Sequence, residues 1–181
     1  MKNIKQDVRK ATDQVGEELM QQTAGAFADL SKKGAKEGLS IKVLSGVSDE
    51  KEEAVYGQAY LLYNAGRYKD AIEIFRVLIM LNSTEPKYMM GLAACFHLLK
   101  AYDAAISSYT LVSFLDPENP IPYFHTSDCA LQLGDKMGAM VALQMAVKRA
   151  ENKPEFKTLK ERAEITLAGL KKEVSESAQE E

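Results

Sequence analysis

A chain of 181 residues holds one sizeable domain and leaves little for a second. With 46% apolar and 27% charged residues the balance supports a packed core, which excludes a wholly disordered chain. A net charge of −3 without any long Lys/Arg block excludes the electrostatic footprint of a phosphate-backbone binder, so no nucleic acid is expected as a partner.

Residues 1–10 mix basic and polar side chains and lack the apolar core of a secretory signal. The longest dense apolar run is only 77–81, far from the roughly 20 residues of a membrane span. A cytoplasmic protein without stable membrane insertion is expected. All 5 prolines lie at or after position 86, so the first half of the chain is open to helix with only Gly as interruption. Over 11–30, Val15, Leu19, Ala26, Phe27 and Leu30 recur mostly at three- and four-residue steps, an amphipathic pattern weakened by Gly16 and Gly25. Its narrow stripe needs cover. It either docks on the rest of the chain or pairs with the same helix of a second subunit, with Leu19, Phe27 and Leu30 as the dimerisation candidates. Leu39, Ile41, Val43 and Leu44 add a short apolar patch, and residues 1–48 together read as an N-terminal helical region.

From 49 to 151 one pattern occurs three times at a spacing of 34 residues. Gly66, Lys100 and Gly134 share a column, as do Ala71, Ala105 and Ala139; Phe75, Tyr109 and Leu143; and Ala59, Ala93 and Ser127. Such a period predicts an array of helix-turn-helix units that bury their apolar faces only by stacking. The predicted pairs are 49–65 with 68–81, 87–99 with 102–115, and 121–133 with 135–150. Gly66 and Gly134 suit the left-handed residue that ends a helix, and Lys100 stands at the same place in the second unit. Pro86 and the Asp116-Pro117-Glu118-Asn119-Pro120 run mark the connections between units.

A last helix is predicted over 156–174, with Leu159, Ala163, Leu167 and Leu170 on one face and charge on the other, as the terminal cap of an array requires. The acidic residues 175–181 have no apolar period and are expected to be disordered. The fold class is therefore all-α: a three-repeat solenoid, an N-terminal helical region and a C-terminal capping helix over 152–174. Cys95 and Cys129, the 2 cysteines, share a repeat position, which fits reduced, buried thiols.

Ala59, Leu62, Gly66, Tyr68, Ala71 and Phe75 match the tetratricopeptide repeat, although Val55, Met89 and Tyr123 replace its frequent Trp. In that architecture the first helix of each unit lines a concave side. The stripes turned away from the second helices are then Glu53, Tyr56, Tyr60 and Tyr63 with Asn64; Lys87, Met90, Ala94 and His97; and Ile121, Phe124, Asp128 and Leu131. Tyrosines carry a large apolar body at low conformational cost, and Met adapts to varied shapes, so this stripe suits an extended peptide. Tyr60, Tyr63, Met90, His97 and Phe124 are the leading contacts, although aromatic residues at helical spacing also serve as core.

The segments YGQAYLLYNAGRY at 56–68, GLAAC at 91–95, YDAAISSY at 102–109, Phe124-His125 and Glu155-Phe156-Lys157 resemble the LcrH/SycD class of type III secretion chaperones, over about 27–170. The resemblance implies a cytoplasmic bacterial protein, dimerising through its N-terminal region. It would hold hydrophobic translocator proteins before export without nucleotide or cofactor. The alternative is a generic tetratricopeptide adaptor for another cytosolic partner. A clamp for a C-terminal carboxylate is disfavoured, because Tyr56, Tyr60, Gly91, Ile121 and His125 stand where its basic and amide donors belong.

No enzyme is expected. Cys95 and His97 are two apart and do not face each other on a helix. His125 reads as a packing or capping residue without a nucleophile partner. No metal-ligand spacing and no Gly-rich phosphate loop occurs, and the carboxylates scatter over outer faces.

Overall fold

The computed structural model describes residues 46–177, of which 49–177 form one compact unit. Leu19, Phe27 and Leu30, with everything inferred for 1–45, lie outside the described residues. Among the described residues seven α-helices follow one another: α1 Asp49–Asn64, α2 Tyr68–Leu81, α3 Pro86–Leu98, α4 Tyr102–Leu115, α5 Ile121–Gln132, α6 Lys136–Ala150 and α7 Lys157–Ser177. A 3₁₀ turn, Pro154–Phe156, leads into α7. Each helix packs on the next in the chain, giving three antiparallel pairs and a closing helix.

Three of the four columns that carry the period are core, and the fourth forms the exposed turns. Ala59, Ala93 and Ser127 have no exposed surface, nor do Ala71, Ala105 and Ala139, while Phe75, Tyr109 and Leu143 lie buried between the helices they join. Small side chains at two positions let the backbones approach, and one large side chain per repeat fills the space between. The hydroxyl of Ser127, the polar member of its column, donates to the Phe124 carbonyl at 2.6 Å, which satisfies it inside the core.

The three turns share one hydrogen-bond scheme. Gly66, Lys100 and Gly134 adopt φ of 73°, 61° and 78°. Their N–H groups donate to the carbonyls of Tyr63, His97 and Leu131, and the next residues donate to Leu62, Phe96 and Ala130, at 2.9–3.0 Å. This is the Schellman arrangement. It holds at Lys100 despite the side chain, because stacking of the flanking helices dictates the turn.

Polar side chains secure the joints. Asp135 caps α6 by accepting from the Gly138 N–H at 2.8 Å, and Asn119 accepts from the Ile121 N–H at 3.0 Å. Glu118, in the loop before α5, receives Arg149 at 2.7 Å, while Lys153 donates to its carbonyl at 2.6 Å. The closing helix buries Ala163 and Leu170 against Leu143 and Ala146. It runs to Ser177, past the predicted limit at 174, so 175–177 are helical rather than disordered. Lys172 paired with Glu176 at 3.8 Å and Ser175 bonded to the Lys172 carbonyl at 2.7 Å sustain that extra turn.

Candidate functional site

Tyr56, Tyr60 and Tyr63 lie on one face of α1 at steps of four and three, so their rings form a ladder. The Tyr60 ring stacks with Tyr56 and with Tyr63, both at 6.5 Å between centroids. Tyr56 also meets Tyr88 at 5.6 Å and Phe75 at 6.3 Å, and Tyr63 meets Tyr68 edge-on at 5.6 Å. The outer members of the ladder are thereby fixed to the core, while Tyr60 stays 52% exposed.

Opposite the ladder, α3 contributes Met90, Gly91 and Ala94, and Phe75 of α2 closes the floor. Together with the tyrosines and Lys87 they enclose a cleft of about 220 Å³. A side chain on Gly91 would collide with the Phe75 ring, so the glycine sets how deeply the helices close. Lys87 stands at one end, 2.5 Å from Glu53 and 4.7 Å above the Tyr56 ring. The hydrogen bond that Lys87 donates to Glu53, outweighing slight burial, raises the pKa of the ammonium above its ordinary value. Burial pushes the Tyr56 and Tyr63 phenols up, so both remain neutral. Among the described residues none bonds the hydroxyl of Tyr56, Tyr60 or Tyr63. The cleft thus offers apolar faces with hydroxyls at hand for a ligand.

Farther along α3, one turn past Ala94, His97 faces His125 of α5 at 5.9 Å between ring centroids. Tyr109 of α4 stacks on His125 at 5.3 Å and meets His97 edge-on at 6.2 Å, and Tyr102 flanks His97 at 6.0 Å. Nδ1 of His125 is buried without a hydrogen-bond partner among the described residues and lies 3.8 Å from Asp128 Oδ2. Burial, then the neighbouring His125, lowers the pKa of His97; Asp128 pulls weakly the other way.

The structure brings together most, but not all, of the expected stripe. Tyr56, Tyr60, Tyr63, Lys87, Met90 and Ala94 line the cleft. His97 and Asp128 belong to the imidazole cluster beside it. Phe124 is a correction: it is buried, 8% exposed, in the cluster that holds Ala163 and Leu170, with Arg162 stacked 5.3 Å over its ring. Among the described residues no fourth unit follows the α5–α6 pair, and α7 covers the side where the next first helix would lie. Leu131 packs half-buried on the same cluster, and Asn64 is exposed at the end of α1 without lining the cleft. Phe75 and Gly91, not among the expected groove residues, also line the cleft, and His125, expected to pack or cap, stacks on Tyr109 beside it. Gly57, Gly91 and His125 share one repeat column, and that column was the available signal.

Among the described residues no group of three or more His, Cys, Asp or Glu is placed to hold a metal ion. None of the described helices is long and apolar enough to cross a membrane.

A family model described as "Anaphase-promoting complex, cyclosome, subunit 3" matches residues 35–110. The low calcium response locus protein H of Yersinia pseudotuberculosis is 34% identical over 136 residues, which are 75% of this chain and 81% of that protein. The translocator chaperone SycD of Yersinia enterocolitica, solved with a peptide of the translocator YopD, superposes with a TM-score of 0.67 at 34% identity. That match covers 70% of this chain and 96% of SycD. SycD has also been solved as an alternative dimer. PcrH of Pseudomonas aeruginosa, solved with the chaperone binding region of PopD, gives a TM-score of 0.68 at 34% identity, covering 71% and 96%. With the repeat array and the likeness extending over most of each relative, the chain belongs to the LcrH/SycD family of type III secretion chaperones, all-α proteins built on tetratricopeptide repeats.

Proposed function

We propose that this chain is a cytoplasmic, non-enzymatic holdase, acting as a homodimer, which grips an extended segment of a hydrophobic type III secretion translocator in the cleft between α1 and α3. The observation that carries this reading is the tyrosine ladder facing Met90, Gly91 and Ala94 across a space fit for apolar side chains. The YopD peptide on SycD and the PopD region on PcrH support the client class, and the alternative dimer of SycD supports self-association. Two apolar anchors stabilise a complex by roughly 1.5 to 3 kcal/mol each before ordering costs, enough for capture with release still feasible. No nucleotide is needed, because the work is shielding of apolar surface.

The test uses fluorescence anisotropy with labelled PopD chaperone binding region and YopD peptide at pH 7.5. The wild-type chain is expected to bind at least one, and Tyr60→Ala/Tyr63→Ala to weaken binding at least about tenfold with an unchanged helical spectrum. Full binding by the double variant removes the cleft from the mechanism. Failure of the wild type to bind either probe removes the translocator reading.

A further inference from the structure

The 2 histidines of the chain come from different repeats, yet they face each other beside the cleft. His97 continues the α3 stripe that begins with Met90 and Ala94, so a segment leaving the cleft along α3 next meets the imidazole pair. We propose that His97 and His125, with Asp128 as their one carboxylate neighbour among the described residues, are an acid-sensitive release point: a client segment lies across neutral imidazoles and is expelled when both take protons. This rests on the groove reading above.

The charge count around the pair decides the sign. From α4, Tyr102 and Tyr109 face the imidazoles, and from α1 Tyr63 lies near Tyr109. Cys95 of α3 and Cys129 of α5 flank the same ring. Phenols and thiols carry no charge at or below neutral pH. Arg162 of α7 stands over Phe124, whose ring touches His125 edge-on at 6.0 Å, and adds positive potential from that side. Among the described residues Asp128 is the one anion at the pair, 3.8 Å from Nδ1 of His125. It can offset one imidazolium but not two. The His97–His125–Asp128 group therefore passes from one net negative charge to one net positive charge as both rings protonate.

A neutral or basic segment over the pair strips further water from the rings and disfavours their charged forms. Binding then expels protons, so affinity is full above the titration range of the free imidazoles and falls as pH drops through it. Each ring so coupled weakens binding by up to about tenfold per pH unit within that range. A client carboxylate over the pair would give the opposite slope.

The experiment measures anisotropy of the labelled PopD chaperone binding region on the full chain from pH 7.5 to 5.5 at fixed salt. Wild type is expected to bind about tenfold or more weakly at pH 5.5, while His97→Gln/His125→Gln keeps a nearly flat profile. Proton NMR of the wild-type chain, with its 2 imidazole signals, is expected to show both midpoints moving to lower pH on probe binding. An equal pH slope in the double variant, unmoved midpoints, or loss of the helical spectrum at pH 5.5 each overturns the proposal. No probe binding at pH 7.5 instead overturns the groove reading on which it rests.

Discussion

The Tyr88 hydroxyl donates a 2.8 Å hydrogen bond to Glu52 Oε1 across 36 positions of sequence. Both residues are almost fully buried, Glu52 at 3% and Tyr88 at 2% exposure, so α3 is fastened to α1 through a carboxylate inside the core. Burial first, and the bond to Glu52 second, drives the Tyr88 phenol far above its ordinary range. The same ring is the surface on which Tyr56 rests, which links this contact to the wall of the cleft.

Tyr88→Phe keeps the ring and removes one bond to a buried charged group. The expected loss is about 1.5 to 3 kcal/mol, read as a lower midpoint in urea unfolding. Tyr68→Phe is the control: its hydroxyl has no partner among the described residues, and a change within about 0.5 kcal/mol is expected. Equal midpoints for the two variants would show that the Glu52 contact contributes nothing net.

The thiols of Cys95 and Cys129 are fully buried, and burial raises each from 9.0 to about 11. Their folded pKa lies above the unfolded one, so their contribution to stability is complete below pH 9 and is lost as pH rises toward about 11. Between pH 9 and 10 the unfolding midpoint should fall in wild type and fall less in Cys95→Ala/Cys129→Ala, compared at equal urea. Above pH 10 the buried phenols of Tyr88 and Tyr109, both raised mainly by burial, add the same trend. A wild-type midpoint constant from pH 8 to 10 would contradict the assignment. Alkylation of native thiols at pH 8 should track unfolding.

Much of this architecture is legible in the chain because each core position recurs at the same column, so periodicity alone locates Ala71, Phe75 and their counterparts. The face of α1 that bears the tyrosines follows equally from helical spacing. Phe124 was misplaced because its cover comes from α7, some 40 residues downstream, and repeat logic describes an interior unit rather than the last one. His125 gained its meaning from His97 on another helix, a relation that no local pattern encodes. Tyr88 with Glu52 is the same case: two unremarkable residues whose pairing is set by how α1 and α3 cross.

Lys100 supplies a test of the turns. It holds φ 61° where its counterparts are Gly, and its side chain is exposed. The left-handed conformation costs an L-residue about 1 to 2 kcal/mol, partly offset by the greater unfolded entropy of Gly. Lys100→Gly should therefore stabilise the fold by about 0.5 to 1 kcal/mol, a Tm rise of roughly 2 to 4 °C by circular dichroism. Gly66→Ala should move Tm downward. A fall in Tm with Lys100→Gly would mean that the lysine side chain makes a stabilising contact larger than the backbone strain.

Gly57 and Gly91 occupy one repeat column but answer oppositely to the same substitution. A Cβ on Gly57 meets nothing within 4 Å, whereas one on Gly91 runs into three atoms of the Phe75 ring. Phe75 is 2% exposed and held by Tyr56, so the ring has nowhere to retreat except toward the cleft it floors. Gly57→Ala removes a flexible residue from the middle of α1 and should stabilise by about 0.5 to 1 kcal/mol. Gly91→Ala overpacks the core and should cost about 1 to 3 kcal/mol. It should also weaken binding of the PopD region, because the displaced Phe75 and Tyr56 fill the cleft from below. Paired thermal melts and anisotropy curves separate the effects. If Gly91→Ala bound the probe as wild type does while losing stability, the cleft between α1 and α3 would be structural space rather than the seat of the client.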